Sequence, residues 1–231
     1  NSSQSRFESS QTFVESMERL ENAILPGEGD LSSQISQFFL ALSDVEASPG
    51  DLAPRAAAIE QGNGLANAFN VTAFVLRDLE TQIAGTIDQE VSEVNRLISS
   101  LGSVNGKLRS SNLGGSPPNA LLDERDRLIA EVSKKVRISV NYGPRHDVNV
   151  RLGEHLTGPL LLDGEKAQSL QPIYSEESGV SYKLGSSRVV KILDDGGLRG
   201  LSTALSVIQD TQTQVDTLAD RMINEVNTAH R

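Results

Sequence analysis

The sequence predicts an α+β protein that is mainly α: an elongated bundle of long helices with a small inserted β domain. Three observations predict it. No proline occurs between Arg55 and Ser116, and apolar residues recur there at seven-residue spacing. From Val136 to about Leu193 the pattern changes to apolar–polar alternation interrupted by glycine turns. After Gly197 a second seven-residue repeat begins. The predicted division is a helical rod domain over 1–135 and 197–231, with an inserted β domain over 136–196.

The first helix is predicted over Ser5 to Leu25, where Phe13, Met17, Leu20 and Ile24 fall on one face. Pro26-Gly27 and Gly29 end it. Asp30 can cap a second helix whose buried stripe would be Leu31, Ile35, Phe38, Phe39 and Leu42. Ser48-Pro49-Gly50 is a turn, and a third helix starts near Asp51 with Pro54 in its first turn. That helix carries two apolar rows. Leu76, Ile83, Leu97 and Val104 form one, interrupted by Glu90; Ile87, Val94, Leu101 and Leu108 form the other. Together they describe a coiled-coil-like seam, and at about 1.5 Å per residue Leu65 to Arg109 would span roughly 65 Å. Gly85, Gly102 and Gly106 weaken this helix without breaking it.

A Gly-Gly and Pro-Pro loop from Asn112 to Asn119 leads to a short helix, Leu121 to Lys134. Strands are then predicted at 136–141, 148–152, 160–162, 170–174, 180–184 and 189–193, the first two forming a hairpin around Gly143-Pro144. Asp194-Asp195-Gly196-Gly197 reads as a hinge. In the final helix Leu201, Ile208, Val215 and Met222 repeat at seven, with Leu205, Ala219 and Val226 as companions. This stripe is predicted to lie antiparallel along the long third helix, with Ile208 inside and Gln209 on the wet side.

Composition restricts the chemistry. Lys and Arg total 21 and Asp and Glu total 31, a formal charge of −10, with no long basic run, which disfavours binding to a phosphate backbone. Aromatics make up 4% of the residues, Trp is absent, and narrow helical seams suit such a chain better than a thick aromatic core. The absence of cysteine excludes disulfides, thiolate zinc sites and a cysteine nucleophile. The longest apolar run, Phe38 to Leu42, is far short of the roughly 20 residues of a membrane helix. No signal peptide is visible.

Few constellations could carry catalysis or ligands. In Asp123-Glu124-Arg125-Asp126-Arg127, Asp123 and Asp126 could act as paired carboxylates, but acids in a first helical turn are the plainer reading. His146, His155 and His230 lack metal-ligand spacing and read as surface histidines. The glycine pairs match no phosphate loop. Lys134-Lys135-Val136-Arg137 is basic but short and has no aromatic beside it. No nucleophile and base converge, so no enzyme activity and no cofactor are predicted.

Several strings stand out together: Leu31 to Leu42 with its Phe-Phe pair, Pro49 to Arg55, Leu65 to Phe69, Val91 to Asn95, and Asn119 to Leu128. In this order they resemble the FlgK family of flagellar hook-associated junction proteins. Asn119 to Leu128 is the most specific, with Asn119, Leu121, Leu122, Asp123, Arg125 and Asp126 similar to the family's Asn-Asp-Leu-Leu-Asp-x-Arg-Asp signature; Ala120 departs from it. Gly196 to Leu201 and the final Leu218-Ala219, Val226-Asn227 and His230 complete the set in the family's order. The chain starts at Asn1 and stops at Arg231, so against the family it reads as a core fragment lacking both terminal regions.

The resemblance implies a structural subunit at the hook–filament junction, outside the cell, exported by the flagellar type III pathway. Its implied partners are the hook protein, hook-associated protein 3 and copies of itself; no nucleic acid or membrane is implied, and the isolated fragment would be a monomer. Helices would pack vertically and laterally, and the β insert would project outward. The competing reading is a stand-alone binding module whose β insert holds a small ligand or glycan, for which only Tyr142, Tyr174 and Tyr182 offer stacking surfaces.

Overall fold

The computed structural model describes residues 2–24, 30–111, 119–175, 179–186, 188–190 and 193–229. Among the described residues there are five helices, α1 (Ser2–Ile24), α2 (Leu31–Ala47), α3 (Leu52–Ser111), α4 (Asn119–Lys135) and α5 (Gly197–Ala229), and seven strands. The strands are β1 (Ile138–Tyr142), β2 (Val148–Leu152), β3 (Leu160–Asp163), β4 (Lys166–Ala167), β5 (Leu170–Ser175), β6 (Gly179–Leu184) and β7 (Arg188–Val190). The fold is thus mainly helical with a small antiparallel sheet region. The predicted loop over 112–118 lies outside the described residues, as does the predicted break at Pro26-Gly27 and Gly29.

Two antiparallel sheets form, ordered β1-β2-β3-β4 and β5-β6-β7. In the first hairpin Tyr142 faces Val148 and Ile138 faces Leu152. A register shift at Val150 and Arg151 separates that hairpin's pairing from β3. Alternation is clean where a strand is half-buried: Val148, Val150 and Leu152 are buried on β2, and Val180, Tyr182 and Leu184 on β6. The two-residue β4 was not expected, because strand patterning needs four residues or more to register. Val136, expected in the first strand, instead directly follows α4, its N–H bonded to the Val132 carbonyl, and is fully buried.

The chain divides into two compact units, Asn1–Met17 with Gln82–Ser206, and Glu18–Thr81 with Val207–Arg231. α1, α3 and α5 each contribute to both.

In the first unit α3 presents a continuous buried seam: Ile83, Ile87, Val94, Leu97, Ile98, Leu101 and Leu108 are all at most 1% exposed. Leu128 and Val132 of α4, the inner faces of both sheets, and Leu198, Leu201 and Leu205 of α5 complete this core. Polar side chains fix the sheets to the helix. Asn105, fully buried, donates to the carbonyls of Val148 and Gly164 and accepts from the Val148 N–H, at 2.7, 2.6 and 3.0 Å. Asn95 does the same for Leu170, donating at 2.8 Å and accepting at 2.7 Å. Each amide thus replaces the neighbouring strand that a sheet backbone would otherwise need. Gly102 and Gly106 are explained by the same docking. A Cβ on Gly102 would lie 2.8 Å from the Glu165 carbonyl oxygen, so only glycine lets the β3–β4 turn approach α3 this closely. These bonds tie both sheets to α3.

The predicted hinge at 194–197 is likewise tied down. The Gly196 N–H bonds the Ser5 carbonyl at 3.0 Å, the Arg137 N–H bonds the Asp195 carbonyl at 3.0 Å, and Gly196 takes a left-handed φ of 99°. One turn on, a Cβ at Gly200 would lie 2.4 Å from the Ser9 carbonyl oxygen, so α5 crosses α1 backbone to backbone. A glycine-rich string reads as mobile when its packing is unknown; here its glycines serve close approach.

Among the described residues of the second unit, the regular structure is all helical. Asp30 caps α2 with φ −60° and ψ 159°, accepting from the Ser33 N–H at 2.6 Å. Gly64 of α3 faces Gln34 of α2 and Gly62 faces Phe38, so α2 and α3 are antiparallel. α5 runs antiparallel to α3, with Gln209 donating to the Glu80 carboxylate at 2.7 Å and Met222 and Val226 level with Leu65 and Phe69. Gln209 is therefore half-buried and bonded, not on a wet side. On α2 only Phe38 and Ala41 are buried; Phe39, expected in the stripe, is 54% exposed. The Phe-Phe pair cannot share one face because adjacent helical positions point about 100° apart.

Candidate assembly surfaces

The residues singled out for helix packing occupy different environments along the chain. Leu76, Ile83, Ile87, Val94, Leu101 and Ile208 are essentially inaccessible, and Leu201 is buried. Val215 and Met222 are only half-buried. Along α5 the stripe is thus closed at its start and opens toward its end. Two shallow apolar grooves in the second unit mark that opening. One, of about 660 Å3, lies among Ile24, Leu31, Ile35, Val71, Val75 and Val215. The other, of about 400 Å3, lies among Phe38, Leu65, Phe69, Met222, Ile223 and Val226. Elsewhere on the same unit Leu40, Leu52, Ile59 and Phe74 are 67%, 79%, 67% and 71% exposed.

The signature string on α4 does structural work in the first unit. Arg125 is buried; its Nη1 donates to the His146 carbonyl at 2.8 Å and its Nε to Asp126 at 2.8 Å. The Tyr142 ring stacks against the same guanidinium, with Cζ 5.1 Å from the centroid. His146 has a left-handed φ of 62° and presents its carbonyl to Arg125. Arg125 therefore clamps the β1–β2 turn onto α4, and Asp126 holds the clamp in orientation. Asp147, buried in that turn, receives Arg109 of α3 through Nε and Nη2 at 2.9 and 2.7 Å. Asn119 and Asp123 are exposed, and Leu121 and Leu122 are half-buried. Asp123 and Asp126 do not act as a pair, because Asp126 is engaged by the arginine of its own helix.

The remaining candidates are also occupied by the fold. Lys135 pairs with Glu90, the residue that interrupts the α3 seam, and buried Arg137 pairs with Asp195 and Glu154. Little of the Lys134–Arg137 string is left as a cationic patch. Exposed ion pairs tune their own groups: the hydrogen bond from Arg96 lowers the pKa of Glu93, and that from Arg127 lowers the pKa of Glu124. Tyr182 is fully buried, bonds Ser202 at 2.8 Å, and has its pKa pushed up to about 12 by burial. The Tyr174 hydroxyl donates to Asp88 at 2.8 Å and to the Ala84 carbonyl at 3.0 Å, and burial followed by Asp88 raises its pKa. With Tyr142 under Arg125, each tyrosine has a role in the fold, which counts against a glycan platform. His155 is exposed, and His230 lies outside the described residues. Among the described residues, no group of three or more His, Cys, Asp or Glu is placed to hold a metal. No described helix is long and apolar enough to cross a membrane.

Sequence reasoning missed Asn105, Arg109 and Asp147. A lone asparagine on an apolar helical seam is the available signal, since a buried amide needs partners. Asn95 and Gly200 enter the sequence reading only within family-like strings, and Gly196 there and in the expected hinge; the structure supplies the reason for each.

The helical-domain model described as "Flagellar hook-associated protein FlgK helical domain" matches residues 17–231. Flagellar hook-associated protein 1 of Escherichia coli K12 is 28% identical over 228 residues, covering 94% of this chain and 41% of that protein. The protein of the same name from Bacillus subtilis 168 is 26% identical over 191 residues, covering 83% and 36%. The chain thus spans less than half the length of these curated relatives. The structure of the flagellar hook junction protein FlgK from Burkholderia pseudomallei shares the fold, with a TM-score of 0.73 at 20% identity, over 87% of this chain and 37% of that one. On the match over nearly its whole length, the chain belongs to the FlgK helical-domain family of flagellar hook-associated proteins.

Proposed function

We propose that this chain forms part of a structural subunit at the hook–filament junction of a bacterial flagellum. The observation that carries this reading is the family match across residues 17–231. The partners in this reading are the hook protein, hook-associated protein 3 and further copies of itself. The location is extracellular, reached by flagellar type III export, and the role is mechanical rather than enzymatic. In this reading the long helices α3 and α5 bear load through their hydrogen-bonded backbone. Within this reading 136–196 is an inserted β domain directed outward, carried by the helical segments 1–135 and 197–231. Apolar side chains left exposed on the second unit supply contact area for neighbouring subunits. By itself the chain is a monomer, which light scattering at high concentration checks.

Immunogold labelling with an antibody raised to this chain tests the junction role. Label confined to the boundary between hook and filament is expected. Label along the filament, or restricted to the cell body, would overturn it.

A further inference from the structure

The second unit carries two features that its own fold leaves unused. The first is the apolar groove of about 400 Å3 between α3 and α5. Its walls, Leu65 and Phe69 on one helix and Met222, Ile223 and Val226 on the other, repeat every three to four residues. Two antiparallel helices with such spacing leave a channel shaped for the side-chain ridge of a third. Ile223 is 58% exposed, and Phe69, Met222 and Val226 are half-buried.

The second feature is charge. The second unit holds five basic residues against fourteen acidic ones, a balance of −9, whereas the first holds 16 against 17. It contains no lysine. On α5, Asp216, Asp220 and Glu225 lie within a turn of the groove residues, are exposed, and form no ion pair among the described residues. Arg221 is the one basic residue of α5 after Val207.

We propose that this groove docks an amphipathic helix from a partner protein, its apolar face in the groove and lysine or arginine along its flanks. A second copy docking groove to groove would bring two units of −9 together, which like-charge repulsion opposes. A strand is a poor occupant because both walls are helices whose backbone groups are already bonded. The inference does not depend on the junction role. It concerns what the groove selects, and could fail while the junction labelling succeeds.

The test uses two fluorescent amphipathic peptides of about four helical turns. They share a leucine face and differ in carrying lysine or glutamate on the polar face. Fluorescence anisotropy with the whole chain should show the lysine peptide binding and the glutamate peptide failing to bind. Ile223→Ser should weaken the lysine peptide by about tenfold, as for an interface anchor. Replacing Asp216 and Asp220 with Asn and Glu225 with Gln should weaken it and flatten its salt dependence. Those positions are exposed, so unchanged circular-dichroism melting shows that the fold is retained. An unaltered affinity in Ile223→Ser, or equal binding of both peptides, would overturn the proposal. So would self-association of the chain that Ile223→Ser abolishes, because the occupant would then be a second copy.

Discussion

The two units draw on the same long helices and hold together by different means. In the first, α3 is covered by strands as well as helices, and its seam is shut from Ile83 to Leu108. Asn95, Asn105 and Arg109 on that helix reach the backbone or turn carboxylate of the sheet region, so apolar burial and specific polar bonds act together. In the second, α3 is accompanied by helices, α2, α5 and the end of α1. Its core relies on small residues such as Ala41, Ala58 and Ala68 beside Leu65, Leu76 and Ile208, while Leu52, Ile59 and Phe74 stay in solvent. The difference teaches that a helical repeat specifies which residues share a stripe, whereas burial depends on what is folded over the stripe.

The largest expected effect is a buried charge. Leu101→Asp places an unpaired carboxylate at a fully buried site and should cost about 4 kcal/mol or unfold the first unit. Ile208→Asp should approach that cost in the second unit, whereas Ile59→Asp, at a site 67% exposed, should stay within about 0.5 kcal/mol. Chemical denaturation reads all three; equal losses at Ile208 and Ile59 would mean the second unit has no core to protect. Gln209→Asp falls between them, at about 1 kcal/mol, because it sets a second carboxylate against Glu80.

Next comes the amide clamp. Asn105→Ala leaves the N–H and carbonyl of Val148 and the carbonyl of Gly164 without this partner, and should cost about 3 kcal/mol. Amide exchange at Val148 should quicken more than at α3 amides, and uniform loosening would point to a general packing defect instead.

Glycine replacements sharpen the contrast by sign. Gly102→Ala forces the β3–β4 turn away and should destabilise by about 1–2 kcal/mol despite better helix propensity. Gly62→Ala meets Phe38 at 3.4 Å, an ordinary contact, and should stabilise by about 0.5 kcal/mol. Loss of stability at both positions would show the second unit to be as tightly packed as the first.

The last contrast is a pH dependence in the first unit. Tyr182 has a pKa of about 12 against an unfolded value near 10, because burial disfavours the phenolate. A raised folded pKa gives stability that is full below pH 10 and is lost between about pH 10 and 12. Tyr182→Phe should therefore reduce the fall in denaturation midpoint across that window, and an unchanged slope would locate the alkaline sensitivity elsewhere.

The sequence by itself determined the helix boundaries to within a few residues, the change to strands after Val136, and the first hairpin around Gly143. Those features rest on local chemistry: proline and glycine punctuation, an Asp30 cap, and apolar spacing of 3.5 or 2. It also placed Leu76, Ile87, Leu101 and Ile208 on common stripes. The tertiary structure alone decided that Phe39 is outside and Phe38 inside, that Gly102 and Gly200 exist for close approach, and that 194–197 is a fixed joint. It alone made Asn105 a clamp and closed one end of the α5 stripe while leaving Ile223 open. Each of these depends on which segment, distant in sequence, covers a surface, and periodicity carries no information about the cover.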